Sequence, residues 1–487
     1  MSFAERSTTT AERDGVCALA TDPDQVRSVC RVMKTPGNEL EEVRCVLVDE
    51  VEGDMVDAMR NVNNRVTRVM FAGLPFGPQA NHASVIRACN HPNVKVERLT
   101  LRSVRVDIEV MLALHSVLTL EDSKLRSLCI RQTRLSPELV MQISEVLEDS
   151  RNRLRDLELV ECDIGDQATL SLASSIRHPN CGLHSLDLKY NPISREAMKM
   201  ILWAVSESRC VSRVDISWGK SYIVDVRSLT MSSSWLQLAA TKLERLTLSG
   251  LNLTERDICD LASAIKSENC RLEWLDVACN RLDSDAVFAL AESLQHQNNC
   301  LKGLVLWDCP IGFDGISAIG SALKHPNCKL EFLDFRVKLD VTSVEGSNIV
   351  LRELVQARTS LRGLLIHISL PMLPFVTAAL NGPNNRLREL GVLDAFEPSS
   401  LAKQEHDTVM HFIKAVRQSN ILSLRGVVSP FAEALESSWF RVLVTLLSAR
   451  TIPRLGARSS FTQVPFADLV ARTGQILGWP LQALTCW

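Results

Sequence analysis

The chain holds 487 residues, 23% charged and 46% hydrophobic, so it can bury a large core and is not disordered as a whole. Lys plus Arg total 54 against 57 for Asp plus Glu, a formal net charge of −3. That balance excludes a globally basic nucleic-acid binder and an acidic-tail protein.

The first residues, MSFAERSTTTAERDG, are polar and mixed in charge, which excludes a secretory signal. Within residues 1–42 the pattern predicts one helix, Asp24 to Met33, as an N-terminal helical cap. From Val43 a template L-x-x-L-x-L recurs, with starts at Val43, Val66, Val96, Leu125, Leu154, Leu183, Val211, Leu243, Leu272, Leu301, Leu330, Leu361 and Leu387. Adjacent starts lie mostly 28 or 29 residues apart, and that regularity makes residues 43–395 one array of about 13 repeats. The interval after Val211 is longer and holds Tyr222 to Trp235, read as a surface loop. Residues 396–487 read as a degenerate repeat at Ile421–Leu424, a C-terminal cap at Phe440–Ala449 and an irregular tail from Arg450 to Trp487.

Each repeat reads as strand, turn, helix, turn. The three apolar positions of the template point inward from a short strand. Three residues after the last of them stand Cys162, Asn191, Asn280 and Cys309, placed to bond the backbone where the chain leaves the strand. An amphipathic stretch follows, such as Asp166 to Arg177 with Leu170, Leu172, Ala173 and Ile176 apolar. Pro179 and Pro326 stand where such helices must stop. One repeat cannot bury its own apolar face, so stacking is required.

The 28–29 residue period, the Asn/Cys choice at Cys162, Asn191, Asn280 and Cys309, and the phrases His178–Cys181, Glu268–Cys270, Asn298–Cys300 and His325–Cys328 resemble ribonuclease-inhibitor-type leucine-rich repeats. Such repeats also form the sensing arrays of NOD-like receptors. The resemblance implies a right-handed α/β leucine-rich-repeat horseshoe solenoid, with a parallel concave sheet and convex helices. It also implies a protein that binds other proteins on that face. NOD-like receptors carry a P-loop NTPase upstream of their repeats, and only about 42 residues precede the first copy here.

Catalytic motifs are weak. Gly219-Lys220-Ser221 lacks the glycine a phosphate loop needs, since Val214 stands there. Gly315 to Gly320 misses nucleophile-elbow spacing by one residue and falls on the helical side, where small residues let helices approach. The His178/Cys181 and His325/Cys328 pairs lie five repeats apart and cannot share a metal. His406 and His411 fall on different helix faces. No cofactor and no metal site is expected, and the chain is read as non-catalytic. The 15 cysteines include no C-x-x-C and read as free buried thiols in a reducing, cytoplasmic setting. The most apolar window, Leu361 to Leu380, contains Arg362, Pro371 and Pro374 and is not a membrane span.

Strand side chains alternate, so the x positions face the concave side. Their middle column runs Thr100, Cys129, Glu158, Asp187, Asp215, Thr247, Asp276, Val305, Asp334, and flanking positions add Tyr190, Trp218, Trp274, Trp307, Asp308 and Phe332. An acidic-aromatic protein-binding patch of Asp187, Tyr190, Asp215, Trp218, Trp274, Asp276, Trp307, Asp308, Phe332 and Asp334 is therefore expected, suited to a protein partner with a basic surface. The chain then acts as a scaffold or adaptor, or, as the resemblance suggests, as an inhibitor that occludes an enzyme. Arg68, Arg98, Arg102, Arg126, Arg131 and Arg155 in the early repeats offer a weaker alternative, binding of RNA or phosphate groups.

Overall fold

A computed structural model describes residues 11–12, 15–46, 48–73, 82–217, 242–311, 313–335, 360–366, 373–381, 387, 389–391, 411 and 423–425. The chain divides into two units, residues 1–251 with 269–272, and residues 252–268 with 273–487. In the first unit ten strands follow in chain order: β1 (Ala11–Glu12), β2 (Gly15–Ala20), β3 (Leu40–Val46), β4 (Arg68–Ala72), β5 (Arg98–Arg102), β6 (Ser127–Arg131), β7 (Asp156–Val160), β8 (Ser185–Asp187), β9 (Arg213–Asp215) and β10 (Arg245–Thr247). Each pairs with the next in parallel, except the antiparallel β1–β2 pair. The sheet thus already contains β2, one parallel strand ahead of the first template copy at Val43. The template misses it because Gly15–Ala20 lacks the leucine spacing.

Among the described residues seven helices alternate with these strands: α1 (Pro23–Lys34), α2 (Asp49–Arg60), α3 (Ala83–Ala88), α4 (Ile108–Leu118), α5 (Pro137–Glu148), α6 (Asp166–Arg177) and α7 (Arg195–Glu207). From α1 to α6, each packs against the helix of the next repeat. In the second unit the strands β11 (Trp274–Asp276), β12 (Gly303–Val305), β13 (Phe332–Phe335), β14 (Gly363–Ile366), β15 (Glu389–Gly391) and β16 (Ser423–Arg425) are also parallel in chain order. Its helices are α8 (Glu255–Ile265), α9 (Ser284–Gln295), α10 (Phe313–Leu323) and α11 (Leu373–Asn381). The fold is an α/β leucine-rich-repeat solenoid. Among the described residues no helix is long and apolar enough to cross a membrane.

The repeat is built by a few side chains. The apolar template positions are fully buried, as at Leu154, Leu157 and Leu159. Two residues past the template the backbone turns through the left-handed region, at Ser103, Gln132, Glu161, Tyr190, Cys279 and Asp308, none of them glycine. That turn sends the next side chain into the core. Asn191 there donates from Nδ2 to the carbonyls of Leu159 (2.6 Å) and Leu188 (2.8 Å), and its Oδ1 accepts from the amides of Cys162 (2.9 Å) and Ile164 (3.1 Å). Cys162 in turn donates its thiol to the carbonyls of Ile130 (3.2 Å) and Val160 (3.3 Å). Asn and Cys therefore do one job, bonding a rung to the rung before it.

The other end of the repeat has its own bridge. After α6 ends at Arg177, ahead of Pro179, His178 Nδ1 accepts the Asn180 amide (3.3 Å) and Asn180 Nδ2 donates to the Glu148 carbonyl at the end of α5 (2.8 Å). Asn327 bonds the Gln295 carbonyl in the same way (2.9 Å) beside His325. Both histidines are thus turn elements, and Cys181 and Cys328 are buried fillers. Among the described residues no group of three metal-ligating side chains forms. Gly315 is the small residue that a helix approach requires, since a Cβ there would stand 3.1 Å from Val287 Cγ1. Leu170, by contrast, is 45% exposed and not part of the core, because it opens onto the outer face of α6.

Candidate functional site

On the strand face of the second unit, Trp274, Gly303, Phe332 and Gly363 occupy one column of β11 to β14. The rings of Trp274 and Phe332 stack, centroids 5.0 Å apart and planes 25° apart. A Cβ at Gly303 would lie 2.1 Å from Trp274 Cε3, and one at Gly363 would lie 2.6 Å from Phe332 Cδ2. The two glycines are therefore the floor on which the rings lie flat. Both rings remain part-exposed, as does Trp307 at the strand exit. Register brings Trp274 and Phe332 of the expected patch together on one column, whereas Trp307 stands two residues past the end of β12. Trp218 lies outside the described residues, as do Tyr222–Trp235, Gly219–Ser221, His406 and everything from 426 onward.

Three acids of the expected patch close turns within the fold. Asp187 Oδ1 accepts the Lys189 amide (3.1 Å), Asp215 Oδ1 the Ser217 amide (3.0 Å) and Asp276 Oδ1 the Ala278 amide (2.9 Å). Each closes the turn that leaves its own strand. Asp187 and Asp215 also share the ammonium of Lys189, at 2.8 and 3.7 Å. Burial, with the nearby Asp215 charge, pushes the Asp187 carboxyl above its ordinary value. Asp334, 3% exposed, is buried on β13 and offers no free carboxylate to the surface. Asp308 and Tyr190 both hold the left-handed turn position, and Tyr190 is exposed.

A concave part of the first unit is cationic. A basin of about 570 Å³ on the face of β3 to β8 is lined by six cationic side chains against three carboxylates, Glu42, Glu158 and Glu161. Arg68 and Arg98 are register neighbours on β4 and β5, and Arg102 and Arg131 on β5 and β6. Glu42 holds Arg44 and, at 3.2 Å, Arg68. Glu158 holds Arg131. Arg102 donates to a neutral acceptor, Gln132 Oε1 (2.9 Å). Burial raises the Glu158 pKa, but bonds from Arg131 and Cys129, with the charges of Arg131 and Arg98, outweigh it and hold the carboxyl below its ordinary value. Of the other early arginines, Arg126 donates to the carbonyls of Ser123 and Leu125, and Arg155 lies against the His184 ring at 3.3 Å, so neither joins the basin. The sequence signal for this site was the Arg-x-x-x-Arg spacing of β5, which puts both guanidinium groups on one strand face.

No protein-family profile matches the chain. It is similar to human NACHT, LRR and PYD domains-containing protein 12, 27% identical over 227 residues that cover 41% of this chain and 21% of that protein. It is similar to human NACHT, LRR and PYD domains-containing protein 14, 26% identical over 305 residues, covering 55% of this chain and 27% of that protein. Mouse ribonuclease inhibitor is 24% identical over 205 residues, 42% of this chain and 43% of that protein. The chain thus matches less than half the length of each of these relatives. Among solved structures, the yeast Rad7 and Elc1 complex aligns with a TM-score of 0.46 and 13% identity, covering 78% of this chain and 87% of that one.

Proposed function

We propose that this chain, a leucine-rich-repeat array of the ribonuclease-inhibitor type, is a non-catalytic protein-binding scaffold or adaptor that engages its partner on the strand face. The observation that carries this reading is the Trp274–Phe332 stack, two large rings held part-exposed on a glycine floor instead of in the core. Part-exposed aromatics on a rigid sheet lose little conformational entropy when a partner covers them, which is why such rings dominate interface energetics. In this reading Trp307 and Asp308, both half-buried just past β12, belong to the same contact surface. The described cysteines are free thiols, which fits a reducing, cytoplasmic setting.

The test is capture of partners by the full chain, with the bound proteins identified and the main one then purified and titrated directly. Trp274→Ala/Trp307→Ala, checked for an unchanged circular dichroism spectrum, should lose that partner by at least about tenfold in affinity. Equal retention by wild type and variant would sink the assignment of this face. If the partner is an enzyme and binding blocks its turnover, the inhibitor form of the reading holds; if turnover is untouched, the scaffold form does.

A further inference from the structure

We infer that the basin of the first unit is a second docking site, of opposite character, for an extended acidic peptide segment of a partner protein. This rests on the reading of the chain as a protein-binding array. Its charge preference is opposite to that expected of the acidic-aromatic patch.

Register decides the arrangement. One column of the face carries Arg68 and Arg98, and a second carries Arg102 and Arg131. Within β5 the two columns lie four residues apart, about 13 Å at the rise of a strand. Within each column the two cations stand on neighbouring strands, about 4.8 Å apart, and Glu42 continues the first column on β3. Between the columns run Met70, Thr100 and Cys129, which carry no charge. The result is two cationic rails with a neutral floor. A peptide crossing the strands over that floor can send carboxylates to either rail.

Two of the four rail cations are already held. Arg68 is paired with Glu42 and Arg131 with Glu158. Arg98 and Arg102 are exposed, and among the described residues neither forms a salt bridge. Both stand on β5, at the centre of the basin, with Leu99 and Leu101 fully buried beneath them. Their guanidinium groups are thus fixed at the backbone and open at the tip. An arriving carboxylate meets planar donors that suit bidentate pairing.

The lining favours peptide over nucleic acid. Its one ring, Tyr190, sits at the edge, so no stacking platform for bases exists among the lining residues.

The experiment is fluorescence anisotropy on the full chain at one fixed salt concentration. The probes are a short labelled poly-glutamate peptide, a poly-lysine peptide of equal length and a short single-stranded RNA. The wild type should bind the glutamate peptide in preference to both others. Arg98→Glu/Arg102→Glu should weaken it about tenfold or more, Arg98→Lys/Arg102→Lys should retain much of the binding, and Trp274→Ala should leave it unchanged. Matching circular dichroism spectra establish that the charge-reversed chain is folded. RNA binding tighter than peptide binding would overturn the inference in favour of a nucleic-acid site. Equal affinity for both peptides, or no effect of charge reversal, would overturn it outright. If the glutamate peptide fails while partner capture through Trp274 persists, this inference falls and the proposed function stands. If both fail, both fall.

Discussion

The Trp274 and Phe332 rings lie 5.0 Å apart although a whole strand, β12, separates their backbones. The rings can meet only because β12 contributes Gly303 at that register position. Gly303→Ala should therefore force Trp274 off the floor, since its new Cβ would stand far inside contact distance of the ring. Loss of the stack should cost about 1 kcal/mol and alter the near-ultraviolet circular dichroism of the tryptophan. An unchanged near-ultraviolet spectrum would show that the ring tolerates the methyl group and that the floor is not obligatory.

Asn191 ties rung to rung through hydrogen bonds to Leu159, Cys162 and Ile164, with a further bond to Leu188 in its own turn. Asn191→Ala leaves the buried amides of Cys162 and Ile164 without an acceptor. Destabilisation on the order of 3 kcal/mol is expected, with faster hydrogen exchange at those two amides. Asn191→Cys should fall between, because a thiol can donate to the Leu159 carbonyl as Cys162 does to Ile130, but accepts poorly. Exchange at both amides as slow as in the wild type would contradict this account.

Glu158 links the basin to pH. Its carboxyl is held below its ordinary value of about 4.5 in the folded chain. A depressed carboxylate contributes stability above the unfolded pKa and loses it as pH falls through the folded pKa. The wild-type denaturation midpoint should therefore drop more steeply than that of Glu158→Gln as pH falls below about 4.5. Urea titrations from neutral pH downward read this directly, and parallel curves would mean that the Arg131 pair contributes no net stability.

The core thiols should be inert. Burial pushes Cys129, Cys162 and Cys309 each up to about 12, far from the thiolate form at neutral pH. Iodoacetamide on the native chain should leave all three unmodified, and unfolding in urea should expose them. Peptide mapping by mass spectrometry distinguishes the two states, and native labelling of Cys162 or Cys309 would show that its rung opens, whereas labelling of Cys129 would show that the basin floor is open to the reagent.

Much of the fold was legible in the sequence because the repeat is a local rule used many times. The template leucines, the helix Asp166–Arg177 and the Asn/Cys position are each fixed by spacing within one repeat, and the structure places them as that spacing requires. The strand at Gly15–Ala20 was missed because its partner β3, and not its own sequence, makes it a strand. The candidate sites were legible only in part. Alternation placed Trp274, Trp307 and Phe332 on one face, but it could not tell a free aspartate from one that closes its own turn, as Asp187, Asp215 and Asp276 do. Nor could it separate Arg98 and Arg102 from Arg68 and Arg131, whose carboxylate partners stand on neighbouring strands. The sequence by itself determined the repeat, its period and which side chains face out, because those depend on contacts one or two turns of chain away. Only the tertiary structure decided which charges are satisfied, which rings stack and which cations remain open. Those outcomes depend on pairings about 29 residues apart, where register sets the distance and a single glycine or glutamate on the next strand changes the result.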